Sequence, residues 1–401
     1  MKSAMIAFTF PGQGSQSPGM GAAWKQHPSW ELVTEAAEVA ERDVEHLLLH
    51  ADQDELTQTR NAQLATYVVS MLVLDAVERT GVEPALLAGH SLGEYSALTA
   101  AGVLSFDDGI RLVSERGNAM QTAAEESTGT MAAVLGLDDD SVDLACRRTD
   151  GDVWVANYNA AGQVVIAGSP DAIQSASVLA KELGAKRTLP IKVGGAFHTP
   201  FMSPARDRLR KAISEADLRA PSRPVYANVD AEPHEDAQEW ASLLGAQLTS
   251  PVQWRRTLLA LEAAGATILL EVGAGKALTG MAKRTVPSIT TATINSPDAV
   301  DEMLETLSAV PEEVVLAEAE GERLYAVERL VVSPASGLFV PEPTAQLGGD
   351  IAIGQLVGKV GSTDVKSPFA GKLEGLLALD GERVSTSQPI AWLRTKTSGH
   401  Q

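Results

Sequence analysis

Two short glycine-rich segments hold residue types suited to acyl chemistry. In Gly89-His90-Ser91-Leu92-Gly93 the pattern G-x-S-x-G falls between a predicted strand, Pro84–Gly89, and a predicted helix from Ser91 to Ala101. That is the context of a nucleophile elbow, where a sharp turn presents the serine Oγ at the end of a sheet. Amides opening the helix carry partial positive charge and can stabilise an oxyanion, with the Leu92 amide as natural first donor. Pro11-Gly12-Gln13-Gly14-Ser15-Gln16 also follows an apolar run, Met5–Phe10. There Gln13 can bring a second donor to the same carbonyl. Each pattern alone also fits an ordinary turn, and the elbow alone does not separate a hydrolase from a transferase. The second segment is not a phosphate-cradling loop, because no Gly-Lys-Ser/Thr follows.

To position such groups the chain must form a layered core. Up to about Leu307, strand-like and helix-like segments alternate, with a helical pattern over Ala62–Arg79 and a buried-strand pattern over Ala266–Val272. This predicts an α/β fold with a parallel-sheet core of the hydrolase type. Within it, Thr130–Leu137, Asp140–Arg148, Val153–Asn157, Gln163–Ala167, Pro170–Gly184 and Arg187–Val193 read as βαββαβ, with a turn at Asn159–Gly162. That order is ferredoxin-like and marks an inserted subdomain over about 128–194.

Composition narrows the class. The net charge is −20 over 401 residues, which disfavours nucleic acid and anionic membranes as partners. Residues 321–401 hold eight of the 32 Lys/Arg and eight of the 52 Asp/Glu, so the excess negative charge belongs to 1–320. No apolar run reaches the roughly 20 residues of a membrane span, and the N-terminus lacks a leader pattern. Cys146 is the sole cysteine, which excludes an intramolecular disulfide and a cysteine metal cluster. A cytoplasmic location is the default expectation.

Further segments complete a recognisable set: Glu94-Tyr95 after the elbow, Glu115-Arg116-Gly117, Asn157-Tyr158-Asn159, Gly195-Ala196-Phe197-His198, Pro251-Val252-Gln253-Trp254 and Glu271-Val272-Gly273-Ala274-Gly275. In this order, over about 4–305, the chain resembles the malonyl-CoA:acyl-carrier-protein transacylase family, relatives of polyketide synthase acyltransferase domains. The resemblance implies a ping-pong S-malonyltransferase with Ser91 as nucleophile and His198 as its base. It further implies an oxyanion hole from Gln13 and Leu92, a Gln253 carbonyl in place of an acid behind His198, and Arg116 on the malonyl carboxylate. Phe197 and Asn159 would line the substrate pocket, Phe197 favouring malonyl over methylmalonyl. The expected partners are malonyl-CoA and acyl carrier protein, with the transferase part monomeric. Lys186-Arg187, Lys276 and Lys283-Arg284 are candidates for docking the acidic carrier. Whether the product feeds fatty acid or polyketide elongation is left open by the sequence.

The composition shifts again at 309–322, where Glu312, Glu313, Glu318, Glu320 and Glu322 suggest a solvated linker between a domain at 1–308 and one at 323–396. Beyond it, Val332–Leu338 is echoed by Lys366–Lys372 at an offset of 34. This part resembles the biotinyl/lipoyl carrier fold, a flattened β-barrel of two similar halves. The expected carrier hairpin, near Val360–Val365, reads Gly361-Ser362-Thr363-Asp364 and holds no lysine; Lys359 and Lys366 only flank it. No biotin, lipoate or metal is therefore expected. The readings weighed against transfer are a serine esterase or thioesterase using the same elbow, and a non-catalytic interaction module. Arg116, together with the absence of a convincing Asp on a loop ahead of His198, speaks against the hydrolase.

Overall fold

The computed structural model describes residues 5–308, 328–386 and 388–394. The acidic segment 309–322 lies outside them. The chain divides into two compact units, Met1–Val315 and Leu316–Gln401.

In the first unit, strand Ile6–Phe10 is central to a six-stranded sheet. Ile268–Val272 and then Thr290–Ile294 lie on one side of it, and Leu86–Gly89, Val225–Tyr226 and Pro233–His234 on the other. All pairings are parallel except the last. Both faces are covered, so the strands read as nearly continuous apolar runs. Phe8, Phe10 and Leu87 join the core with helix Thr59–Glu78, while Ala7, Leu86 and Ala88 face helices Trp254–Ala263 and Ala277–Thr285. Helix Thr59–Glu78 is buried almost all round, which explains its largely apolar sequence; its buried polar residues are Thr59, Asn61, Gln63, Thr66 and Ser70.

The inserted segments form a four-stranded antiparallel sheet in the order Val153–Ala160, Gln163–Gly168, Thr130–Leu135, Arg187–Ile191. Two helices, Asp139–Arg148 and Pro170–Glu182, pack with it around their own core. One boundary differs from expectation. The first of these strands runs through Asn159 to Ala160, where a turn beginning at Asn159 was predicted. Register shifts at Val155/Asn157 and Tyr158/Ala160 let the strand continue while re-aiming its side chains.

The second unit contains two four-stranded antiparallel sheets. The sequence echo has a structural counterpart. Ser333 Oγ donates to the Ala335 carbonyl at 2.6 Å, and Ser367 Oγ to the Phe369 carbonyl at 2.7 Å. The Ser333 amide donates to the Gln388 carbonyl and the Ser367 amide to the Gln355 carbonyl, both at 2.9 Å. Two copies of one turn are thus tied down by equivalent partners. The hairpin Leu356–Val360/Thr363–Lys366 closes through Gly361-Ser362, and Lys359 faces Asp364 across it at 3.5 Å.

The elbow is held by one close approach. A Cβ on Gly93 would stand 2.0 Å from the Phe10 carbonyl oxygen, so only glycine lets the helix Gly93–Ala100 seat against the central strand. Gly93→Ala is therefore expected to destabilise the fold by about 1–3 kcal/mol, measured by urea denaturation.

Candidate active site

Ser91 and His198 come from distant parts of the chain and meet above the carboxyl ends of the central strands, where ligands bind in open α/β sheets. Ser91 follows strand Leu86–Gly89 with φ of +52°, and His198 has φ of +61°. Both are non-glycine residues in the left-handed region, a conformation that persists only where neighbours enforce it. For Ser91 the enforcement is Asn228. Its Oδ1 accepts from the Ser91 amide and its Nδ2 donates to the Gly89 carbonyl, each at 2.6 Å. Ser91 Oγ lies 2.8 Å from His198 Nε2.

On the far side of the imidazole, Nδ1 meets the Gln247 carbonyl at 3.0 Å. This corrects the assignment of Gln253. The Gln253 carbonyl opens helix Trp254–Ala263 and accepts from the Thr257 amide at 3.0 Å. Gln247 ends helix Ala237–Gln247, where carbonyls lack intrahelical donors and form the negative pole of the dipole. Such a carbonyl favours a cationic form of the ring.

Arg116 sits on helix Phe106–Glu126 and is fully buried. Gly117 permits this helix to approach: a Cβ there would be 2.9 Å from Arg60 Cα. The guanidinium Nη2 donates to Ser91 Oγ at 3.1 Å and to Gln247 Oε1 at 2.9 Å, while Nη1 donates to Gln63 Oε1. Its Nε is buried with no acceptor among the described residues. Among the described residues no carboxylate bonds to it; a cation held by two amide oxygens and a hydroxyl retains capacity for an incoming anion. Burial lowers the guanidinium pKa from its usual value. Burial first, and then the Arg116 cation, push the His198 imidazole down to about 3, so the ring is neutral and able to accept a proton.

A cavity of about 240 Å³ opens onto this pair. Its walls include Gln13, Asn159, Phe197, Met120, Leu278 and Met281. Arg116 is bonded to two of the lining residues, Gln63 and Ser91. Asn159 Oδ1 is 2.8 Å from His90 Nε2, and Gln63 Nε2 donates to Gln13 Oε1 at 3.3 Å. Among the described residues the Gln13 and Leu92 amides have no acceptor. Glu271, buried on its strand, accepts from the Leu278 and Thr279 amides, so the Glu-Val-Gly-Ala-Gly segment fixes the helix that forms the outer wall. The sequence reading missed Gln63, Gln247, Asn228 and the role of Glu94. Only Gln63 left a trace, as one of the polar residues within a largely apolar helical pattern. Among the described residues no His/Cys/Asp/Glu group could hold a metal ion, and no helix is long and apolar enough to cross a membrane.

A serine and a histidine in contact at the mouth of a parallel sheet are residue types suited to acyl transfer. Residues 7–314 match the acyl transferase domain family, and the chain belongs to that family of acyltransferases. Its relatives narrow the comparison. The chain is 41% identical over 305 residues to the malonyl CoA-acyl carrier protein transacylase of Escherichia coli K12, covering 75% of this chain and 99% of that one. With the Bacillus subtilis protein of the same name it shares 39% over 307 residues, covering 75% and 97%. Among solved structures, an acyl carrier protein S-malonyltransferase from Vibrio cholerae superposes with a TM-score of 0.72 at 40% identity, covering 75% of this chain and all of that one. A malonyl-transacylase solved in complex with a type II polyketide acyl carrier protein gives 0.73 at 38%, covering 76% and 100%.

Asn228→Ala leaves the Ser91 amide and the Gly89 carbonyl without their partner. It is expected to cost about 1–3 kcal/mol of stability and, by releasing the serine from its position, up to about 10²-fold in kcat. Denaturation and steady-state rates on the same preparation check both.

Proposed function

We propose that this acyltransferase moves a malonyl group from CoA to the phosphopantetheine thiol of an acyl carrier protein, through a malonyl ester on Ser91, for fatty acid or polyketide elongation. The observation that carries the reading is the position of Ser91 Oγ between the His198 imidazole and the buried Arg116 guanidinium. His198 Nε2 takes the Ser91 proton as Oγ attacks the thioester carbonyl. The tetrahedral oxyanion is held by the Leu92 and Gln13 amides. Collapse breaks the C–S bond, and the leaving thiolate recovers the proton from the imidazolium. The carrier thiol then repeats the sequence in reverse, regenerating Ser91.

Arg116 sets the substrate class. A malonyl carboxylate replaces the Ser91 hydroxyl and a glutamine oxygen on the guanidinium, a charge-assisted exchange that acetyl cannot make. The same pairing offsets the cation that depresses His198, so a dicarboxylic acyl group strengthens the base that activates its own attack. Phe197 closes the pocket over the acyl chain and Asn159 lines it. A simple esterase has no use for this buried cation, and the chemistry requires no cofactor.

For the carrier, Lys186, Arg187, Lys276, Lys283 and Arg284 are exposed. The last two end the helix whose start, Ala277 and Leu278, lines the cavity. This supports docking of an acidic partner beside the entrance. We read the parallel-sheet unit as hydrolase-like and the inserted sheet as ferredoxin-like from its order. The two-fold turns of the second unit support a biotinyl/lipoyl-like architecture that serves docking or structure and is not a carrier, its hairpin tip being Gly361-Ser362.

Incubation with malonyl-CoA followed by intact mass spectrometry is expected to show one malonyl adduct, absent in Ser91→Ala, that is discharged by holo acyl carrier protein. Free malonate as the sole product would defeat the reading. Charge reversal at Lys283 and Arg284 is expected to raise KM for the carrier and leave KM for malonyl-CoA unchanged.

A further inference from the structure

Directly behind the nucleophile lies a carboxyl group that the proposed chemistry leaves unused. Glu94, in the first turn of the elbow helix, is buried. One oxygen accepts from the Asn228 amide at 2.6 Å, and the other accepts from Gln247 Nε2. These two partners control the remainder of the site. Asn228 holds the Ser91 amide and the Gly89 carbonyl. Gln247 donates from the same Nε2 to the Ser91 carbonyl at 2.9 Å, accepts from Arg116 with its side-chain oxygen, and orients His198 with its backbone oxygen.

We propose that Glu94 is a positioning residue for acyl transfer: its carboxylate locks Gln247 and Asn228 in the one orientation that aligns Ser91, His198 and Arg116. The inference rests on the transferase reading above. The logic is one of donors and acceptors. A carboxylate only accepts, so it forces Gln247 to present Nε2 inward and therefore Oε1 to Arg116. A protonated or amide group at 94 offers a donor, which competes with the Gln247 amide or the Asn228 N–H. Rotation of the Gln247 carboxamide would then turn its NH2 toward the guanidinium, donor against donor.

The charged groups around Glu94 are Arg116 on the neighbouring helix and Asp230 on the loop after Asn228, with the Tyr95 hydroxyl and His198 next to them. Burial, opposed by the Asn228 and Gln247 hydrogen bonds and by Arg116, raises the carboxyl pKa to about 7. The accepting form therefore gains population as pH rises through neutrality. The sign for stability is the reverse. A carboxyl with its pKa raised on folding favours the native state most below about 4.5 and loses that contribution as pH rises through about 7. Glu94→Gln removes a buried charge and should melt at or above the wild-type temperature at pH 8.

The test measures kcat/KM for acylation of Ser91 by malonyl-CoA, from pH 6 to pH 8, in wild type and Glu94→Gln. Taking the ratio cancels titration of the substrate. It is expected to rise by about ten-fold across the range, with the variant slower at pH 8. In a double-variant cycle, Glu94→Gln costs less on top of Gln247→Leu than it costs alone, because the two variants share the link through Gln247. A ratio that stays at unity across the range overturns the proposal. Multiplicative losses in the cycle overturn it too, as does a Glu94→Gln protein without a cooperative melt. If wild type forms no malonyl-Ser91 at all, the transferase reading fails first; if it forms and the ratio stays at unity, only this inference fails.

Discussion

A guanidinium buried without a carboxylate is the constraint around which the active site is built. Removing a cation from water costs several kcal/mol unless partners compensate. Here the compensation at Arg116 comes from Gln63, Gln247 and Ser91, with the Tyr95 ring 5.5 Å from the guanidinium carbon. The neutral oxygens satisfy hydrogen bonds and leave the charge in place. The site thus holds a standing electrostatic demand for an anion beside Ser91, and in the proposed reaction an acyl group ending in a carboxylate would meet it.

The demand explains the surrounding architecture. Two helices, Thr59–Glu78 and Phe106–Glu126, must pack closely enough to enclose the arginine, and Gly117 allows it. Gln63 then emerges from an apolar helix because the cation needs an acceptor there. Gln247 closes the opposite side and links the cation to the imidazole and to the Ser91 carbonyl. Two left-handed residues, Ser91 and His198, are the conformational cost of this convergence, and Asn228 with Glu94 holds the serine side of it.

Much of this was legible in the sequence where chemistry follows residue type and local punctuation. The Gly-x-Ser-x-Gly turn between a strand and a helix located Ser91, and the strand–helix alternation predicted the parallel core. The repeated Ser-Pro segments form matching turns at Ser333 and Ser367. What could not be read depends on backbone groups and on long-range packing. Any residue has a carbonyl, so the one behind His198 was assigned to Gln253 when it belongs to Gln247. The difference is that one ends a helix and the other begins one. Glu94 sits inside the recognised segment, yet its contacts with Asn228 and Gln247 are made by residues far away in the sequence.

The most direct test of the central claim is a competition. Equimolar malonyl-CoA and acetyl-CoA are offered to the enzyme, and the acyl group on Ser91 is identified by intact mass spectrometry for wild type and Arg116→Ala. The account predicts an almost wholly malonyl enzyme for wild type, and a variant that loses that preference by about 10²-fold or more. A wild-type enzyme that takes acetyl as readily as malonyl, or an Arg116→Ala enzyme that keeps the malonyl preference, would contradict it.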